Sequence, residues 1–400
     1  MSAILKNIKV SGVGCCLLDY LHNNISFASE AFGDYVSVKD GDGGLIPGKL
    51  VFANEFEKFS KQGFDAVIRK ITGGKVADNT NVGGPAIVAL LHVAQLLEGT
   101  GCTVRFYGGR GDDPAGEYLY KILKGTPLNI DNYRLLSGST PSTVVLSDPD
   151  FNNGTGERIF INTIGAAENY SPVYLDSNFF SSDIVVFGAT ALVPAIHDSL
   201  TDLLIKARLN GCVTVVNTVY DFRNQKANPD KKWPLGKDDR SYANIDLLVT
   251  NHEEAQRLSG QKTLAKAMET FRSLGTGAVV VTNGVENITL FAQENSIFQK
   301  VELNEMPVSD AIFKELKEGY PGDTTGCGDN FAGGLILSIV KQLQKEVSKL
   351  DLTEACTWAI VSGGFSCFYL GGTYYQERSG EKLEQIIPYH KKYLKQIAHD

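Results

Sequence analysis

Short β-branched runs alternate with amphipathic stretches along most of the chain. Ile8–Val13 reads as a strand, Pro85–Leu97 as a helix, Thr103–Tyr107 as a strand and Pro114–Leu123 as a helix. The rhythm returns with strands at Ile184–Phe187, Val213–Val216, Leu247–Thr250 and Ala278–Thr282, and helices at Ile196–Leu209, Glu253–Leu258 and Thr263–Leu274. Strands and helices at this spacing predict a mostly parallel sheet with helices on both faces. Residues Asp19 to Asn81 break the rhythm, being polar, Gly-rich and only patchily periodic. Ser142–Ser147 and Arg158–Thr163 read as a pair of exposed strands joined by the turn-rich Asp148 to Gly156. Together these segments predict a small β-rich layer over one sheet edge. Asp221 to Arg240, with Pro229, Pro234 and Gly236, reads as a long surface loop.

Composition narrows the classes. Four hundred residues that are 43% hydrophobic can bury a large core. A net charge of −8 with no dense basic face argues against a nucleic-acid or anionic-membrane partner. No window approaches the ~20 apolar residues needed to cross a bilayer, and Met1–Lys6 lacks an apolar leader core. The seven cysteines are scattered, apart from Cys15-Cys16, and form neither a disulfide ladder nor a C-x-x-C site. The expectation is a soluble protein of the reducing cytoplasm.

The strongest chemical signal is Asp323-Thr324-Thr325-Gly326-Cys327-Gly328-Asp329, preceded by the Pro321-Gly322 turn and followed by the amphipathic run Leu335 to Leu343. Two glycines at a helix start let backbone N–H groups converge at the positive end of the helix dipole, which makes an anion hole. A carboxylate there repels a phosphate, so Asp329 suits a base beside a transferring phosphoryl group better than a ligand to it. The competing reading is a plain N-cap Asp. Five fixed residue types in seven positions arise by chance in a chain this long only on the order of once in ten thousand.

This segment resembles the second signature of the ribokinase-like (pfkB) family of carbohydrate and nucleoside kinases. There the last Asp is the catalytic base and the Gly-x-Gly amides hold the anion. Cys327 stands where that family usually has Ala. Val82-Gly83-Gly84-Pro85-Ala86 resembles the family's first signature beneath the substrate, with Val88 in place of the usual Asn. Asp19 matches the family's Asp for substrate hydroxyls, and a carboxylate can accept two bonds from a vicinal diol. Gly12-Val13-Gly14 after the first strand fails as a dinucleotide fingerprint because Leu17 stands at the third Gly position. Gly109 to Gly116 resembles a family turn whose role is structural, Asp113 capping the next helix and Pro114 at its first position.

Gly156-Glu157-Arg158 resembles a lid segment, so that Arg158 either reaches the transferring phosphoryl group or is a solvated hairpin residue. Asn251-His252-Glu253-Glu254 matches the family's N-x-x-E, which supports Mg²⁺ through water. The same spacing also suits a capping box. Thr282-Asn283-Gly284 resembles the nucleotide-binding turn, with Asn287 where a second Gly is usual. Ser362-Gly363-Gly364 is small enough for an adenine ring to approach, or for tight helix packing.

The resemblance runs from Asp19 to Asp329 in the family's order. It implies one α/β domain over residues 1–400, a ribokinase-like three-layer αβα sandwich with a mostly parallel central sheet, and a lid from about 19–80 and 140–165. It implies an ATP-dependent phosphotransferase acting on a hydroxymethyl group of a sugar. Asp329 is then the base; Gly326, Cys327 and Gly328 form the anion hole; Asp19, Gly83, Gly84 and Arg158 hold substrate. Asn251, Thr282, Gly284 and Gly363 hold nucleotide, and Glu254 supports the metal. ATP and Mg²⁺ are the implied cofactors, and a monovalent cation stays open. Arg223 is a further acceptor contact, and a homodimer through the lid is the implied assembly. An adenosine-like nucleoside kinase and a non-catalytic ligand-binding regulator remain alternatives. The 63 residues between Asp19 and Gly83 are expected to shape the acceptor pocket or a dimer contact.

Overall fold

The computed structural model describes residues 6–39, 41–154, 156–319 and 324–398. The Pro321-Gly322 turn and Asp323 lie outside the described residues.

Among the described residues nine strands form the main sheet. In spatial order they are Val301–Met306, Ile288–Ala292, Ala278–Thr282, Leu247–Asn251, Val213–Asn217, Ile184–Gly188, Lys9–Gly14, Thr103–Arg110 and Asn129–Leu135. The last seven of these run parallel, and the first two are an antiparallel edge. Six of the seven parallel strands are apolar on both faces, as a doubly covered sheet requires, while the edge strand Asn129–Leu135 is mostly polar and buries only Ile130 and Tyr133. Val10, Val186 and Val280 join one hydrophobic cluster, while Val13, Val185, Phe187, Val279 and Val281 join the cluster on the other side. The first cluster receives the helices α1 (Pro85–Leu96), α3 (Cys327–Gln344), α4 (Leu352–Phe365) and α5 (Glu381–Ile397). Opposite them, α2 (His252–Ser259) shares the second cluster with Leu200–Leu209 and Leu264–Ser273. This is the expected fold class.

Gly12 and Gly14 lie inside the first strand rather than in a turn after it. A Cβ on Gly14 would sit 2.4 Å from Ala86 Cβ and 2.3 Å from Gly188 O, so these glycines let α1 press onto the sheet. That is a packing role and leaves nothing for a dinucleotide.

Five short strands form a second sheet, in the order Leu50–Phe52, Glu157–Thr163, Ser142–Asp148, Leu17–His22 and Asn79–Gly83. Its two faces differ. Val51, Val144, Leu146, Ile159 and Ile161 pack against Phe32, Phe56, Val67 and Ile71 from the helices Glu30–Gly33, Ala53–Ser60 and Phe64–Ile71, and against Tyr35, which follows the first of them. The strands 142–148 and 157–163 are therefore mostly buried, not exposed as their sequence suggested, because the helices of residues 30–71 cover their apolar face. Strand register puts Asp19, Thr143, Asn162 and Phe52 in one row on the other face.

Two further expectations change. The 196–209 segment is two helices, Pro194–Asp198 and Leu200–Leu209, which meet at Ser199. The 221–240 segment is not a free loop. It contains the helix Phe222–Ala227 and buries Trp233 and Leu235, and Trp233 Nε1 donates to Gln225 Oε1 at 2.9 Å. Among the described residues no helix is long and apolar enough to cross a membrane.

Candidate active site

The signature loop ends at Gly326, which is left-handed (φ 77°) and forms the N-cap of α3. Asp329 lies in the first turn. Asn330 ties that turn down: its Nδ2 donates to Gly326 O and to Gly372 O, both at 2.9 Å. Its Oδ1 accepts from Lys382 Nζ at 3.2 Å and from Tyr369 OH at 3.4 Å. Cys327 N donates a long bond to Thr324 O at 3.3 Å, a contact that an incoming anion would compete for.

Arg158 reaches across from the second sheet. Its guanidinium donates to Thr325 Oγ1 at 3.0 Å and Thr324 Oγ1 at 3.4 Å, so this side chain belongs to the loop rather than to solvent. Asp19 is buried, and its Oδ2 lies 2.0 Å from where a Cβ on Gly83 would stand. Any other residue at 83 would displace that carboxylate. Gly84 opens α1 with φ 105° and packs on Cys15 O, which excludes a side chain there too.

Asn251 and Glu254 form the reciprocal cap that their spacing allowed. Glu254 N donates to Asn251 Oδ1 at 2.9 Å and Asn251 Nδ2 donates to Glu254 Oε1 at 2.8 Å. Glu254 Oε2 accepts from Thr218 Oγ1 at 2.5 Å and Thr250 Oγ1 at 3.4 Å. Burial holds this carboxyl above the ordinary carboxylate range, while the Thr218 hydroxyl opposes it. Asp329 is pushed up to about 7, first by burial and then by the Glu254 carboxylate, so the two acids sense one another. A base near neutrality beside a helix N-terminus is suited to proton abstraction.

Thr282, Gly284, Gly328 and Gly363 come together around one cavity of about 300 Å³, with Cys327 and Cys367 on its wall. Asn251 is not part of that wall; its contacts serve Glu254. A second cavity of about 500 Å³ opens beside the second sheet, lined by Phe52, Asn162, Gly165, Tyr220 and Phe222. Arg223 lines it as well, but its guanidinium is paired with Asp198, which leaves it poorly placed for an acceptor. The departures have local causes. Val88 is buried and packs beneath Gly372, and Asn287 donates to Glu305 Oε2 at 3.2 Å on the neighbouring strand.

Thr218, Asn330 and Lys382 were not anticipated. Asn330 adjoins the signature and was open to discovery there. Lys382 reads in sequence as an ordinary surface lysine, yet it is 1% exposed.

Residues 78–377 match the family described as pfkB family carbohydrate kinase. The chain belongs to the pfkB family of carbohydrate kinases. A 2-dehydro-3-deoxygluconokinase from Thermoproteus tenax is 23% identical over 276 residues, which cover 67% of this chain and 76% of that protein. Among solved structures, adenosine kinase from Schistosoma mansoni in complex with 2-fluoroadenosine aligns with TM-score 0.69 at 16% identity, covering 93% of this chain and 98% of that one. Ribokinase from Arabidopsis thaliana, complexed with ribose and ATP, aligns with TM-score 0.62 at 17% identity, covering 96% and 99%. At these identities the structural likeness establishes the ribokinase-like fold of this pfkB family member.

Proposed function

We propose that this pfkB family protein is an ATP-dependent kinase that phosphorylates a hydroxymethyl group of a sugar, with Asp329 as general base. The observation that carries the reading is the position of the Asp329 carboxyl in the first turn of α3, next to the Gly328 wall of the smaller cavity, where burial and the Glu254 carboxylate push it up. In this reading Asp329 accepts the hydroxyl proton, and the amides of Gly326, Cys327 and Gly328 hold the phosphoryl charge. Arg158, already over the loop, neutralises that charge from the other side. Asp19 orients the acceptor through two hydroxyls, and its row with Thr143 and Asn162 extends toward the larger cavity. Asn251 supports the nucleotide site indirectly, through Glu254.

Glu254 fits a metal held through water. Its carboxylate accepts three bonds from Thr218, Thr250 and Asn251, leaving one of its ~4 lone-pair sites. Bound Mg²⁺ supplies neutralisation of phosphate charge. The second sheet, from about 19–80 and 140–165, serves as the lid of a single kinase domain. A homodimer through that lid would use its edges or the face that carries Asp19, since its apolar face is already covered by the helices of residues 30–71.

A nucleoside acceptor is the second reading. Phe52 and Phe222 meet edge to face at 5.9 Å on the larger cavity and offer ring surface to a base. Lys226 and Arg223 there are paired with Glu55 and Asp198, which speaks against an anionic acceptor. The test is Mg²⁺-dependent ADP release from ATP across sugars, sugar acids and nucleosides. One strong neutral-sugar acceptor supports the proposal, a nucleoside moves it to the second reading, and ATP binding without any turnover supports a non-catalytic regulator.

A further inference from the structure

Two cysteines 40 residues apart meet on the wall of the smaller cavity. Cys327 opens α3, and Cys367 lies in the turn Ser366–Phe368 that follows α4; their sulfurs are 3.1 Å apart. The contact is built by close helix packing. A Cβ on Gly363 would already be 3.0 Å from Cys327 O, so α4 lies against the start of α3. Ser366 Oγ lies 3.3 Å from Cys327 Sγ and 2.7 Å from Gly363 O, which anchors the turn carrying Cys367. Both cysteines are half-buried and line the cavity, so a small oxidant reaches them from it.

Four of the other five thiols differ, and the fifth, Cys102, is half-buried but lies outside this cavity, its Sγ accepting from Gln344 Nε2 at 3.2 Å. Cys15, Cys16, Cys212 and Cys356 are buried, and burial pushes all four thiols up, Cys16 to about 12 and Cys212 to about 11. They are sheltered and poorly ionised. Cys327 sits instead at the positive end of an 18-residue helix, a favourable position for a sulfur that attacks. A disulfide needs sulfurs about 2.05 Å apart, so the pair must close by about 1 Å.

We propose that Cys327 and Cys367 form a reversible disulfide when exposed to peroxide, and that the bond closes the cavity to nucleotide. One thiolate attacks the peroxide O–O bond and becomes a sulfenic acid, releasing hydroxide that is protonated to water. The second thiol displaces that hydroxyl as a second water, so two thiols are oxidised and one peroxide is reduced to two waters. A low-molecular-weight dithiol reverses the step by thiol–disulfide exchange, itself becoming the disulfide. Closing the sulfurs draws the first turn of α3 toward Ser366–Phe368 along the cavity wall, which reshapes that wall and pins the Cys327 amide. The effect on nucleotide rests on the kinase reading; the disulfide itself does not.

The experiment treats the full chain with hydrogen peroxide, then maps peptides by mass, and titrates a fluorescent ATP analogue before oxidation, after it, and after dithiothreitol. The expected result is a 327–367 linked peptide lighter by two hydrogens, an analogue Kd weakened at least tenfold, and recovery on reduction. Cys327→Ser and Cys367→Ser are each expected to lose the reversible response, measured against their own untreated state. Prior ATP is expected to slow the linkage. No linked peptide, or a linked protein whose Kd moves less than twofold, overturns the proposal. A reduced protein that binds no nucleotide overturns the kinase reading and the control with it, while the mass map still reports the bond.

Discussion

Gly326→Ala isolates the device that aims the first turn of α3. At φ 77° an Ala costs about 1–2 kcal/mol. Its Cβ would also stand 2.4 Å from Gly372 Cα, against about 3.5 Å for a relaxed carbon contact, so the two segments must part by about 1 Å. Parting them strains the Asn330 amide, which bridges Gly326 O and Gly372 O, and a compromised buried hydrogen bond costs about 1–3 kcal/mol. The total is about 2–5 kcal/mol. Gly211 is the matched control: its φ is 78° and nothing lies within 4 Å of an added Cβ, so Gly211→Ala loses only the backbone share, about 1–2 kcal/mol. A displacement of about 1 Å at the anion hole lowers turnover about 10²-fold. Urea unfolding and ADP release of both variants decide the matter. Equal stability losses, or a Gly326→Ala enzyme within fivefold of wild type, would refute the reasoning.

In the proposed role Asp329 must be ionised to accept a proton, and burial, with the Glu254 carboxylate, pushes its carboxyl up to about 7. The kcat/KM profile is therefore expected to climb about tenfold per pH unit below that value and flatten above it; a flat profile down to about pH 5 contradicts this. Burial lowers the Lys382 ammonium to about 7, whereas an unfolded lysine keeps its proton to about 10. Between those values the unfolded state binds more protons, so stability is expected to rise with pH, and Lys382→Met to lose that rise; melting temperatures that run parallel across the window contradict it. Asn251→Ala removes the α2 cap and a donor to Glu254. It should cost about 1 kcal/mol in urea unfolding and raise the Mg²⁺ concentration needed for half-maximal turnover, whereas an unchanged Mg²⁺ requirement would detach Glu254 from the metal.

Local chemistry was legible and non-local chemistry was not. Asp113, Asn251 and Gly326 could be read because a cap or a left-handed turn is satisfied within a few residues: Asp113 Oδ1 accepts from Gly116 N at 2.8 Å, three positions away. Six parallel strands of the main sheet were legible because each is apolar on both faces and flanked by a helix, whereas the strands towards its edges, Asn129–Leu135, Ile288–Ala292 and Val301–Met306, were not read as strands, the first and last being mostly polar. The row Asp19, Thr143, Asn162 and Phe52 was hidden, because it exists only through the register of four short strands distant in sequence. The helices of residues 30–71 are four to eight residues long, too short for periodicity to emerge, and their apolar residues make sense only against the sheet they cover. Trp233 anchors a segment whose prolines and charges suggested a loop. Lys382 is the extreme case, a charge in an amphipathic helix whose buried partner, Asn330, lies 52 residues away.

The central claim is that Asp329 is the base of a phosphoryl transfer. The most direct measurement compares wild type with Asp329→Asn for acceptor-dependent ADP release and for binding of ATP. The account predicts a fall of about 10²–10⁴ in kcat with nucleotide affinity within threefold. An Asp329→Asn enzyme that keeps more than a tenth of wild-type turnover contradicts it.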